Sequence, residues 1–381
     1  MPDLDARRSA LDAPRRETDA SLPGDAAPRP GSAAPRRRGP HMVSGSMTWL
    51  LVAGLLAALV ACSVAAVSIG SVTLPVGSVW STIGARLTGA GPADPLRDQV
   101  VWDIRLPRVL LAAVVGAGLS VAGVTFQAMV RNPLADPYVL GVSSGASLGA
   151  VLVVAFGATA MGGAGVTGAA FATAALSVLL VYVLAQRGGR LLDSRLVLAG
   201  VAVGYLCSAA TSYVQLRVSP TELHGLMFWL MGSMAGASWS DLGVPAAVIA
   251  ACTAFLLTQA RGMNALMAGD DAAAGLGASV MRLRITLLVT GSLLTATAVS
   301  VVGGIGFVGL MVPHATRFLV GGDHRRVLPV ALLLGAVFLV AVDIATRTAD
   351  RPNELPVGIF TTALGVPFFL WLLRRRAAGG A

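Results

Sequence analysis

The chain has 381 residues, of which 55% are hydrophobic and only 12% charged, against about 25% charged in a soluble domain. That balance excludes a soluble globular protein and points to a polytopic membrane protein. The net charge is +9 and all 28 basic residues are arginine, spread over loops with no basic face interleaved with aromatics. This excludes a nucleic-acid surface, and without a lysine no P-loop for ATP can be built.

Residues 1–46 are rich in Pro, Arg, Ala, Asp and Ser and have no apolar period. Such a segment cannot bury enough surface to fold and reads as a disordered cytoplasmic tail. Ten apolar segments follow, near 47–69, 107–128, 138–157, 165–185, 195–216, 242–260, 284–303, 305–320, 327–346 and 356–373. They define a membrane domain over 47–376 ahead of a short tail, 377–381. The run from Trp49 to Ile69 meets the length of roughly 18 residues that a membrane span needs. Leu59-Val60-Ala61-Cys62 matches a lipoprotein cleavage box. The stretch ahead of it is too long for a signal peptide and the apolar run continues past the cysteine, so the segment reads as a membrane helix.

Cys62, Cys207 and Cys252 lie inside apolar runs and offer neither a disulfide framework nor metal spacing. His41, His224, His314 and His324 lack the spacing of a metal-binding helix. No metal site and no cofactor is expected. With the N-terminus inside, 21 arginines fall on the cytoplasmic side and 7 outside, the asymmetry expected of a membrane protein in that orientation. An even number of spans then puts both termini in the cytoplasm. Gly123-x-x-Phe126 followed by Pro133, and Gly304-x-x-Phe307 followed by Pro313, suggest an internal repeat.

Several polar stretches stand out against this apolar background. Arg105-Leu106-Pro107-Arg108 opens the second segment at its outer mouth. Spacing of three places both arginines on one helix face, and interfacial snorkelling is the simpler account of them. Asp343 is the one acid well inside an apolar run, and Arg347, four residues on, is a local partner for it. Gln127 and the run Asn132-Pro133-Leu134-Ala135-Asp136-Pro137 end the second segment. Two prolines break the helix there, giving either a shaped element near an inner gate or a loop that packs the bundle. Ser143 and Ser144, in a Gly-rich stretch, either line a path or permit close helix packing. In the polar loop at 263–278, Asp271-Ala-Ala-Ala-Gly-Leu-Gly reads as a short helix closed by glycine. Asp270 and Asp271 would sit at its N-terminus, where the helix dipole favours them. Gly303-Gly304-Ile305-Gly306-Phe307 through Pro313-His314 follows, then Asp323-His324-Arg325 and Glu354-Leu355-Pro356-Val357-Gly358.

In this order and spacing, these stretches closely resemble FecCD-type permeases of ABC importers, which carry ferric siderophores, haem and vitamin B12. The resemblance covers roughly residues 48–376. It implies an all-α polytopic fold of about ten transmembrane helices, similar to the vitamin B12 importer permease. It also implies a homodimer, or a heterodimer with a sister permease, in the cell membrane. Its further partners would be cytoplasmic ATP-binding subunits and an extracytoplasmic substrate-binding (lipo)protein; the chain itself would hold no catalytic residue. The resemblance assigns Arg105, Arg108 and Arg347 to an exposed dock for the binding protein. Asn264, Gly269, Asp270, Asp271, Ala274, Leu276 and Gly277 would form the loop that couples to the ATPase. Gln127, Asn132, Pro133, Asp136, Pro137, Ser143, Ser144, Asp193 and Ser194 are gate or pathway candidates. Asp193 stands where the vitamin B12 permease has a small hydroxyl residue, which disfavours that cargo; an iron–siderophore complex is the expected one. An ion-coupled secondary transporter would need ionisable residues in several spans, and only Asp343 qualifies. A membrane-embedded protease would need paired aspartates, a metal motif or a Ser/His pair, and the segments contain none.

Overall fold

The computed structural model describes residues 45–70, 74–89, 94–157, 165–188 and 190–378. The expected N-terminal tail lies outside the described residues up to position 44, as do the last three residues of the C-terminal tail.

α1 (Gly45–Ser68) is a long apolar helix, and α2 (Val76–Thr88) a short one. α3 (Pro95–Asp98) passes through a π-helical stretch, Gln99–Arg105, into α4 (Leu106–Met129). A 3-10 turn at Pro137–Leu140 leads to α5 (Val142–Phe156), then α6 (Val166–Ala185). Strands β1 (Gln186–Arg187) and β2 (Arg190–Leu191) form an antiparallel hairpin that pairs Gln186 with Leu191. After it come α7 (Asp193–Gln215), α8 (Pro220–Leu230) and α9 (Gly243–Met267). α10 (Asp270–Gly275), α11 (Val280–Val302), α12 (Val308–Val320), α13 (His324–Thr348) and α14 (Val357–Ala378) complete the chain.

All ten apolar segments are helices. Among the described residues, seven are long and apolar enough to cross a membrane, and α5, α12 and α14 are shorter apolar helices. Hydropathy did not reveal α2, α8 or the β1–β2 hairpin, each too short or too polar to register as a span. The two motif matches give the repeat no support. Gly123 lies deep in α4, whereas Gly304 lies in the loop between α11 and α12, and Phe307 has φ +66° while Phe126 is helical. The two short matches therefore do not occupy equivalent elements.

α4 is the centre of the bundle. From Val115 to Met129 every one of its residues is buried, and α9, α11, α12 and α13 pack around it. In lipid, apolar side chains gain nothing by leaving the solvent, so helices associate through close packing at small residues. The crossings show this directly. A Cβ on Gly116 would stand 2.2 Å from the carbonyl oxygen of Gly335 on α13. One on Gly123 would stand 1.9 Å from the carbonyl oxygen of Gly309 on α12. No side chain fits at either crossing. The other surface of the bundle is apolar: Trp49, Leu50 and Val60 on α1, and Leu176, Leu179 and Val183 on α6, are exposed.

Gly123→Val is expected to destabilise the detergent-solubilised protein by about 3 kcal/mol or to prevent its accumulation, because overpacking a tight contact costs on that order. Gly54→Val on α1, where nothing lies within 4 Å of the added carbon, is expected to leave thermal unfolding unchanged. Equal melting temperatures for the two variants would contradict the close crossing.

Candidate functional site

α4 has 24 residues, a length of about 36 Å at the helical rise, enough to traverse an apolar layer of about 30 Å. A polar cluster sits at each of its ends.

At the end where α4 starts, three arginines gather, and two of them, Arg108 and Arg347, converge on Asp343 of α13, which is fully buried. Arg108 Nε donates to Asp343 Oδ1 at 2.8 Å, and its Nη1 donates to Glu354 Oε2 at 2.8 Å. Arg347 Nη2 lies 3.0 Å from Asp343 Oδ2. Arg105 takes a different partner: its Nη1 donates to the carbonyls of Val67 at 2.7 Å and Ser68 at 3.1 Å. Arg347 Nη1 donates to the Ile69 carbonyl at 3.1 Å. These are the last carbonyls of α1, which lack partners within their own helix and carry the negative end of its dipole. α1 has no basic residue in its own last turn, so two arginines from elsewhere in the chain cap it.

The sequence reading brought Arg105, Arg108 and Arg347 together, and the structure does too. It corrects the expectation that they are exposed: they are 8%, 6% and 3% accessible. Burial is tolerable because each guanidinium has an acceptor inside the bundle. The Asp343–Arg347 pair is present as expected, but Arg108 shares the same carboxylate. Glu354, which no role was expected for, closes the cluster and is its partly exposed member, with about a third of its side chain accessible (32%). Nearby, Trp239 Nε1 donates to the Trp102 carbonyl at 2.9 Å and the two rings lie 5.3 Å apart, an aromatic pair of the kind enriched at membrane–water interfaces.

At the opposite end α10 stands apart from α9 on Gly269. Asp270 and Asp271 occupy its first turn, as the sequence suggested. Its exit is a Schellman closure: Ala278 N–H donates to the Ala273 carbonyl at 3.0 Å and Gly277 N–H to Ala274 at 2.9 Å, with Gly277 at φ +81°. Leu276 is 75% exposed on this closure. Asp270 meets Arg131 at 3.3 Å and Arg284 at 3.2 Å.

Asn264 is not part of the loop but lies within α9. Its amide donates to Asp323 Oδ1 at 2.7 Å, and its oxygen accepts from His324 N–H at 2.9 Å. His324 Nδ1 lies 2.7 Å from the same oxygen and is its donor, since that oxygen only accepts. Asn264 thus ties α9 to the start of α13. Burial alone would raise the Asp323 carboxyl, but the Asn264 amide and the Arg325 N–H hold it below the ordinary carboxylate range.

The gate candidates separate into two groups. Gln127 is buried and donates to the carbonyls of Gly309 at 3.2 Å and Leu310 at 3.4 Å, and its oxygen accepts from Arg317. It staples α4 to α12, with its whole amide taken up inside the bundle, which corrects its reading as a pathway residue. Asn132 is exposed and its oxygen accepts from Leu134 N–H at 2.9 Å; Asp136 caps the 3-10 turn through Tyr138 N–H at 2.9 Å. Pro137 is buried against Gly309, and Pro133, Ser143 and Ser144 are half-buried. Asp193 and the exposed Ser194 open α7 beside the β1–β2 hairpin. Arg131 and Arg284 were counted only as orienting charges. An arginine at the head of an apolar segment, as Arg284 is, was the signal that it has a partner.

Residues 56–375 match the FecCD transport family. The cobalamin import system permease protein BtuC of Halobacterium salinarum is 46% identical over 278 residues, covering 73% of this chain and 74% of that protein. The hemin transport system permease protein HmuU of Yersinia pestis is 38% identical and covers 86% of this chain and 96% of its own length. A solved ABC transporter assigned to the metal-chelate type, in an inward-facing conformation, superposes with a TM-score of 0.74 at 32% identity, over 86% of this chain and 99% of that one.

Asp343→Ala would leave Arg108 and Arg347 without their shared carboxylate inside the bundle. Breaking a buried pair from one side costs about 3 to 5 kcal/mol, so a fall in melting temperature of at least several degrees is expected in detergent. Unchanged melting would show that the cluster is solvated.

Proposed function

The chain belongs to the FecCD transport family, and on that premise we propose that it is the membrane-spanning permease of an ABC importer that carries an iron–siderophore complex into the cytoplasm. The energy comes from ATP hydrolysed by a partner subunit, since a chain without lysine cannot form the phosphate-binding loop itself.

The observation that carries the proposal is α10. A helix of six residues is too short to be stable alone, yet here it is held at one end by Asp270 and closed at the other by a Schellman motif, with Leu276 left exposed beyond it. A rigid, capped helix presenting an uncovered leucine fits insertion into a cleft of an ATP-binding subunit. Two such subunits would serve a pair of permeases. The arginine asymmetry supports a cytoplasmic position for α10 and both termini.

The cluster of Arg105, Arg108 and Arg347 then faces outward and supports the dock for a substrate-binding protein. Because Glu354 is its partly exposed member, an incoming carboxylate would reach Arg108 by taking the place of Glu354 on its guanidinium. Opposite charges at such a contact set encounter and register more than affinity. Asn132–Pro137 and the start of α7 would form the inner gate.

The relatives' names cover different metal chelates: cobalamin for the archaeal protein and hemin for the one from Yersinia. Iron is the reading adopted here, supported by Asp193 at a position where the vitamin B12 permease has a hydroxyl residue. Cobalamin is the second reading, favoured by the 46% identity to a cobalamin permease.

Deleting the gene is expected to lower uptake of radiolabelled ferric hydroxamate at least tenfold while leaving labelled cobalamin and hemin uptake intact. Loss of cobalamin uptake alone would replace the cargo assignment. Leu276→Asp is expected to weaken binding of the ATP-binding subunit at least tenfold in a pull-down from detergent, with melting of the permease unchanged because the side chain is exposed. Full binding by that variant would argue against α10 as the seat.

A further inference from the structure

Asp270 opens α10 immediately after Gly269, whose φ of +113° turns the chain out of α9. Its carboxylate faces two arginines from distant parts of the chain. Arg131 Nη1 lies 3.3 Å from Oδ1, and Arg284 Nη2 donates to Oδ1 at 3.2 Å and to Oδ2 at 3.3 Å.

The two arginines sit in different settings. Arg131 is exposed, has φ +53°, and follows Val130, the residue that caps the end of α4. A left-handed arginine is an uncommon conformation for a side-chain-bearing residue. It stops α4 and turns the chain into Asn132–Pro137. Arg284 is buried in α11, and its Nη1 donates to the Leu191 carbonyl at 2.8 Å. Leu191 ends the β1–β2 hairpin, two residues before Asp193 and the start of α7.

A guanidinium is a rigid planar fork. With one arm on a carboxylate and the other on a backbone carbonyl, a shift of the first acceptor displaces the second. Burial strengthens both contacts, because competing water is removed. The exposed Asp270–Arg131 pair has little strength of its own; what matters is that it shares its carboxylate with the buried arm. A cavity of ≈ 420 Å³ with a mixed charged and apolar lining lies among Arg131, Leu191, Leu192, Asp270, Met281 and Arg284, which leaves α10 room to move against the hairpin.

We infer that Asp270 is the junction through which displacement of α10 reaches both segments of the inner gate at once. Arg131 carries it to Asn132–Pro137, and Arg284 carries it through the Leu191 carbonyl to Asp193 and Ser194. Asp270 and Arg284 are positioning residues: neither touches cargo or nucleotide. The inference rests on the reading of α10 as the element seated on an ATP-binding partner.

The test is independent of cargo. The permease carries Ser194→Cys in a background of Cys62→Ala, Cys207→Ala and Cys252→Ala. It is assembled with its ATP-binding subunit and binding protein in liposomes, with the cytoplasmic face outward. Labelling of the new thiol by a membrane-impermeant maleimide is timed without nucleotide and after vanadate trapping, at equal trapped nucleotide. The parent is expected to change its labelling rate at least fivefold on trapping. Asp270→Asn and Arg284→Gln are each expected to reduce that response below twofold, and the double variant to lose no more than either single one, as for two residues in one linkage. Arg131→Gln, which removes the charge from an exposed side chain, is expected to abolish the same response at Asn132→Cys. Variants that respond as strongly as a responsive parent overturn the relay alone. A parent whose labelling ignores nucleotide overturns the importer reading together with the relay.

Discussion

The backbone of α4 lies against two other backbones, and nearly every polar feature of the protein depends on that contact. Where Gly116 meets Gly335, and Gly123 meets Gly309, no Cβ can be accommodated. Inside a bilayer this is the available kind of adhesion, since the surrounding acyl chains are as apolar as the side chains themselves. It makes α4 a fixed central post. Arg105 and Arg108 are carried at its start, and Gln127 and Arg131 at its finish. Because the post cannot shift easily between α12 and α13, groups at its two ends are held in register with their partners on other helices.

Burying three arginines at one end is physically acceptable because of how acceptors are distributed. Asp343 and Glu354 supply two carboxylates, and the last carbonyls of α1 supply the rest. α1 packs against α13 through this arrangement and gains caps that its own sequence lacks. The cluster therefore joins three elements before it does anything for a partner. The proposed docking role would sit on top of this structural one, at the Glu354 side, where the cluster is partly exposed.

The other end is built differently. Asn264, Asp323 and His324 fix α9 to α13 through short hydrogen bonds. α10, by contrast, is attached through glycine hinges and a carboxylate with two arginine partners beside a cavity. A frame tied by short hydrogen bonds next to a small, capped helix set off by glycines is the arrangement that the proposed coupling movement would need.

Much of this was legible in the sequence, for identifiable reasons. Length and hydropathy of each run determined the helices, because a span must satisfy its backbone internally and face lipid. The α10 helix and its closure were legible because aspartates, alanines and glycine in that order encode a start, a body and a stop locally. The ordered motifs carried the family. Tertiary structure alone decided the environment of each charge. Arg105 looked exposed because nothing near it in sequence announces that the end of α1, 37 and 38 residues earlier, supplies its acceptors. Arg108 finds Asp343 across 235 residues. Gln127 looked like a pathway residue until α12 was seen to occupy its hydrogen bonds. The meeting of Arg131, Asp270 and Arg284 joins three distant segments through side-chain reach, which no periodicity records. Local chemistry is written along the chain; which buried charge meets which acceptor is settled only when the helices pack.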